Sequence, residues 1–102
     1  MNPEFTVGNV GQFPGQLDRL LRVAEERGLQ AVLLNILREV RDEVQRHPRE
    51  WGDPYTNLRA LNVVRYGRTL LPSAIRVEYA VHNEKPFVWL SAIWALPGSP
   101  FA

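Results

Sequence analysis

Four arginines, Arg59, Arg65, Arg68 and Arg76, gather in the second half of this 102-residue chain, with His82 following in the same stretch. A guanidinium is a permanently charged planar fork of donors that matches a phosphate or a carboxylate and stacks on bases. A histidine within reach can take or give a proton near neutral pH. Together these types describe a site for a phosphate ester, in which arginines stabilise the charge that develops and His82 moves the proton. Each also has a purely structural reading. Arg76 shares a strand face with Glu78, and an exposed arginine beside a carboxylate commonly forms no more than a weak surface ion pair. A histidine at a hairpin turn is commonly just a surface residue. Other chemistry is not encoded. There is no phosphate loop, nucleophile elbow or dinucleotide fingerprint, there is no cysteine, and two histidines are too few for an all-protein metal site. No cofactor is expected.

The elements that must position these residues centre on Ala74 to Leu96. Ile75, Val77, Tyr79 and Val81 alternate with Arg76, Glu78, Ala80 and His82, the period of a strand buried on one side. Asn83 to Pro86 reads as a turn. Phe87 to Leu96 is apolar on both faces apart from Ser91, which predicts an interior strand of a sheet covered on both sides, with Trp89 and Trp94 on opposite faces. Upstream, Leu17, Leu20, Leu21 and Ala24 predict a helix opened by Pro14 and closed by Gly28. Leu29, Val32, Leu33, Ile36, Leu37, Val40 and Val44 predict a second that stops at His47 and Pro48. Pro48 to Asn57 reads as a turn-rich link, Leu61 to Tyr66 as a strand and Gly67 to Ser73 as a loop. Phe5 to Val10 reads as a short edge strand, and Met1 to Phe5 in part as a leftover of expression cloning. The fold class is therefore α+β, one domain over residues 1–102. An antiparallel helix pair covers one face of a small antiparallel sheet, in the order β-α-α-β-β-β.

Net charge is only +1, but it is unevenly spread. Residues 1–52 carry seven arginines against eight acids, a balance of −1, and residues 53–102 carry five cations against three acids, a balance of +2. Eleven of the twelve cations are arginine, so the strand half is suited to an anionic partner. No apolar run approaches the length of a membrane span, and the first ten residues lack the basic and apolar regions of a signal peptide, which predicts a cytoplasmic protein without membrane contact.

The run NLRAL at 57–61, the segment RVEYAV at 76–81 and the strand FVWLSAIWAL at 87–96 resemble the RelE/ParE-type toxins of bacterial toxin–antitoxin modules. The resemblance implies a helical pair on a small sheet and a cognate antitoxin that wraps the toxin. It further implies a target: mRNA on the ribosome, cleaved by the RelE branch as a ribosome-dependent endonuclease, or DNA gyrase, poisoned by the ParE branch. Arg76 matches the arginine with which the nuclease branch holds the scissile phosphate, and Arg65 and Arg68 lie near its other basic positions. With His82 they form the candidate catalytic set; Arg59, Arg76, Trp94 and Phe101 form the candidate partner or nucleic-acid contact set. The nuclease branch also carries a basic residue and a tyrosine or histidine beyond its last strand. Here Ala95 to Ala102 has neither, so the alternative is a catalytically inactive family member that serves as a protein-interaction module.

Overall fold

Apolar residues at helical spacing form two helices, α1 (Phe13–Arg27) and α2 (Gln30–Arg46), in the computed structural model, which describes residues 4–102. Gly28 ends α1 in the left-handed region at φ 68°, and the amides of Gly28 and Leu29 return to the carbonyls of Glu25 and Ala24. This closure satisfies the last carbonyls of the helix and turns the chain within two residues. Phe13, Leu20 and Ala24 of α1 and Leu33, Val40 and Val44 of α2 are buried at turn spacing. Those stripes lie on one face of the sheet.

Among the described residues, three helices and five strands make up the α+β fold. A short helix, α3 (Pro48–Trp51), follows α2. The strands are β1 (Thr6–Asn9), β2 (Asp53–Leu58), β3 (Val63–Leu70), β4 (Ile75–His82) and β5 (Phe87–Ala95), and a 3-10 turn at Arg59–Leu61 joins β2 to β3. The sheet runs β1-β5-β4-β3-β2. All neighbours are antiparallel except β1, which lies parallel to β5, so the sheet is mixed rather than antiparallel.

The element order differs from the expected one in the link after α2, which holds α3 and β2 instead of a plain turn. Apart from Gly52, which joins α3 to β2, the residues that read as turn formers are used within elements. Pro48 occupies the first turn of α3, where its missing N–H is no loss. Pro54 sits in an edge strand, where one side of the ladder is empty. β3 likewise continues through Gly67 to Leu70, paired residue for residue with β4, where a loop was expected. At the N-terminus Phe5 belongs to the fold, donating its amide to the Gln45 carbonyl at 2.8 Å and packing against the core. Met1 to Pro3, the rest of the presumed cloning leftover, lie outside the described residues. Among the described residues no helix is long and apolar enough to cross a membrane.

Tyr79 ties the two halves of the chain together. It is wholly buried at the centre of β4, stacked on Tyr66 with ring centroids 5.4 Å apart and tilted against Trp51 at 5.9 Å. Its hydroxyl donates to the Pro48 carbonyl at 2.6 Å and accepts from the Gly52 amide at 2.9 Å, so one side chain satisfies both ends of α3. Residue 52 has to be glycine, because a Cβ there would stand 2.7 Å from the Tyr79 oxygen and 3.1 Å from the Gly67 carbonyl. Burial holds the Tyr79 phenol well above the ordinary tyrosine range, with the Gly52 amide opposing it.

Two outcomes follow for stability. Leu33→Ala, at a fully buried site, lowers unfolding free energy in urea by about 2–5 kcal/mol, whereas Leu34→Ala, 47 % exposed on the same helix, changes it by roughly 0.5 kcal/mol or less. Tyr79→Phe leaves two buried backbone groups unpaired and costs about 1–3 kcal/mol for each. The tyrosine also sets an alkaline limit. An unfolded chain releases this proton near pH 10 while the folded chain keeps it, so stability falls as pH rises beyond about 10. The Tyr79→Phe variant, unfolded in urea at a series of alkaline pH values, shows a shallower fall.

Candidate functional site

β5 was expected to be covered on both faces and to send Trp89 and Trp94 to opposite sides. Neither holds, and one residue is responsible. Tyr79 pairs with Leu90 but Glu78 pairs with Ala92, so Ser91 is an extra residue that bulges out of register. A bulge resets the in–out alternation of a strand. Val88, Leu90 and Ile93 therefore all face the helices, while Trp89 and Trp94 both face away, opposite Ala80 and Arg76 respectively. Among the described residues, no layer of helices lies on the second face of the sheet.

On that open face, alternation along β3 and β4 places Val63, Arg65, Gly67 and Thr69 beside His82, Ala80, Glu78 and Arg76. The Arg76 guanidinium lies across Gly67, where any side chain would collide with it, and so stays flat on the sheet. It pairs with Glu78 at 3.5 Å and donates to the Thr69 hydroxyl at 3.4 Å. Arg65 stands over the ring of Tyr55 with 5.1 Å from guanidinium to centroid. Tyr55 reaches this position because β2 bulges between Pro54 and Thr56. Partial burial, with the neighbouring Glu78 carboxylate, raises the Tyr55 phenol above its ordinary range, and Arg65 opposes them. The phenol therefore stays protonated at neutral pH. On the β5 side, Trp89 lies against Gly8 of β1 at 3.5 Å from where a Cβ would stand. Between the two sides the floor is small: Ala80 and Ala92.

Three members of the expected sets meet here: Arg65, Arg76 and Trp94. The others do not. Arg68 points to the opposite face, level with Val77, donating to the Trp51 carbonyl at 2.6 Å and standing 5.2 Å over the Trp51 ring, which makes it a clamp on α3. Arg59 lies exposed on the 3-10 turn. His82 shares the face but serves its hairpin, with Nδ1 accepting from the amides of Glu84 at 3.1 Å and Lys85 at 3.0 Å. Phe101, expected as an exposed contact, is 3 % exposed and belongs to the core. Its segment is anchored by the Ser99 hydroxyl, which donates to the Ser73 carbonyl at 2.6 Å, and by Arg27, which donates to the Pro100 carbonyl.

Tyr55, Glu78 and Trp89 complete the face and were not among the candidates. Glu78 was legible, since it shares the alternation of Arg76. Tyr55 was not, because a bulge inside a proline-containing link leaves no period to read. Among the described residues no group of three histidine or carboxylate side chains is placed to hold a metal ion. What the face offers chemically is two guanidiniums, a carboxylate and a neutral phenol beside two indoles. No family model, curated protein or solved structure matches the chain.

The two kinds of arginine separate in a stability measurement. Arg68→Ala lowers unfolding free energy by about 1–2 kcal/mol, losing a charged hydrogen bond and its contact with Trp51. Arg76→Ala, which removes a partly exposed ion pair and a long hydrogen bond to Thr69, changes it by about 1 kcal/mol or less.

Proposed function

We propose that this chain is a RelE/ParE-like toxin component of a cytoplasmic toxin–antitoxin module, acting on translation by engaging single-stranded RNA on the open sheet face. The observation that carries the reading is the placement of Arg65, Arg76, Trp89 and Trp94 on one uncovered face, around a floor of small residues. Unpaired bases stack on indole and guanidinium planes, and arginine forks bind the phosphates between them. A cognate antitoxin that silences the toxin by covering this surface would be acidic and amphipathic, matching its charge and its indoles.

A second reading, the catalytically inactive interaction module, is favoured by two features. The Arg76 guanidinium is engaged by Glu78 and Thr69, and the residues after β5 are packed by Phe101 into the core rather than brought to the arginines. Binding without cutting is therefore the stronger form of the toxin reading, and Glu78 and Tyr55 are the proton-carrying groups beside the arginines if RNA is cleaved.

Expression of the chain alone in a bacterial host is expected to arrest growth and lower translation in a cell-free assay while leaving gyrase supercoiling intact. Single-stranded RNA should bind with an affinity that falls with salt at a log–log slope of roughly −1 to −2, as two phosphate contacts require. The double variant Arg65→Ala/Arg76→Ala should retain its fold and lose both effects. Inhibited supercoiling with intact translation would instead mark the gyrase-directed branch, and normal growth would mark the module.

A further inference from the structure

Beside the arginine face, where the start of α1 approaches the bulge of β5, lies a depression of about 560 Å³ between Gln12, Gln16, Arg65, Glu78 and Trp94. That volume is in the range of small-ligand sites, roughly 300–1,000 Å³. Its walls are chemically unlike one another. Trp94 supplies a half-buried indole, and Gly11 and Ala92 leave space beside it. Glu78 supplies a carboxylate that is 20 % exposed, with one oxygen 3.5 Å from Arg76 and the other free of any ion pair. The glutamine amides are held in order: the Ile93 N–H donates to Gln16 Oε1 at 2.9 Å, and Gln16 Nε2 donates to Gln12 Oε1 at 3.4 Å. The chain of bonds leaves the Gln12 amide nitrogen as a donor among the side chains that line the depression, Arg65 with it.

A flat apolar wall with a carboxylate at one end and donors nearby suits a planar heterocycle that brings adjacent N–H groups and an adjacent acceptor. Among the RNA bases only guanine has that edge, with N1–H and N2–H2 side by side and O6 next to them. Adenine and cytosine each set an amine beside a ring acceptor, and uracil has one N–H between two carbonyls. Either mismatch would press a lone pair against the carboxylate, and such edge-to-edge readout discriminates by about 1–3 kcal/mol per bidentate pair.

We infer that this depression is a guanine subsite, in which the base stacks on Trp94, Glu78 accepts from its N1 and N2 donors, and Gln12 or Arg65 donates to O6. The inference rests on the RNA reading of the neighbouring face and gives it base selectivity.

Calorimetric titration of the full chain with GMP, IMP, AMP, CMP and UMP tests it, since IMP lacks only the N2 amine. GMP is expected to bind about tenfold or more tightly than IMP and than the other three. Glu78→Gln, with melting temperature and circular dichroism confirming its fold, is expected to erase the preference. The IMP comparison needs no variant and stands if Glu78→Gln does not fold. Equal binding of GMP and IMP, or no binding of either, overturns the subsite. Short single-stranded oligonucleotides without guanine separate this result from the broader reading. If they bind in a salt-dependent way while GMP shows no preference, the arginine face stands and the subsite falls. If neither they nor matched oligonucleotides that contain guanine bind while GMP is preferred, the subsite stands and the RNA reading falls.

Discussion

The phenol of Tyr79 is the interaction on which the rest of the structure depends. From the middle of β4 it reaches across the core and closes both ends of the four-residue helix α3, accepting from one backbone amide and donating to one carbonyl. A helix of that length has no stability of its own, because nucleation consumes its hydrogen bonds before propagation returns any. Buried backbone groups that go unpaired are expensive, so the hydroxyl decides whether the link after α2 folds into α3 and β2 or stays a loop. The same region carries Trp51 against the Tyr79 ring and Arg68 over Trp51, so the aromatic stack and the charge clamp reinforce one another.

That arrangement explains why a sheet of five strands can leave one face open. The helices, α3 and the buried end of the chain all pack on one side, where Ile75, Val77, Tyr79 and Val81 meet Leu33, Val40 and Val44. Among the described residues no helix lies on the other. The open face then has to be stable while half exposed. It manages this locally, with Arg76 flat on Gly67 and paired to Glu78, Trp89 against Gly8, and Arg65 over Tyr55. The side chains that make the face a plausible ligand surface are thus the ones that protect it in the absence of a ligand. A partner has to displace weak, partly exposed contacts rather than buried ones, and such contacts cost little to exchange.

Much of the scaffold was legible in the chain. Helix periodicity, the glycine that closes α1, and the strict alternation from Ile75 to His82 are local signals, each carried by residues a few positions apart, and each produced the element it predicts. Arg76 and Glu78 were placed on one face by the same alternation. Errors arose where a signal depended on partners far away in sequence. Phe101 looked like an exposed aromatic because nothing in its neighbours reveals that it joins the buried cluster of Phe13, Leu20 and Leu33. Arg68 was grouped with Arg65 although odd spacing along a strand puts them on opposite faces, and His82 was read for its proton rather than for the two amides it holds.

By itself, then, the sequence determined α1, α2, the β4–β5 hairpin and the polarity of the β4 faces, because short-range periodicity and turn chemistry need only neighbouring residues. Tertiary structure decided the rest. Whether Ser91 bulges depends on how β5 must fit against β4 and β1, and that single extra residue moved Trp94 to the side of Trp89 and built the platform. Whether Pro48 to Asn57 becomes α3 and β2 depends on a hydroxyl more than twenty residues away. Direction, too, was a tertiary matter: four residues with a glycine among them carry no sign of whether β1 will run parallel or antiparallel to its neighbour, and the path of the two helices settled it.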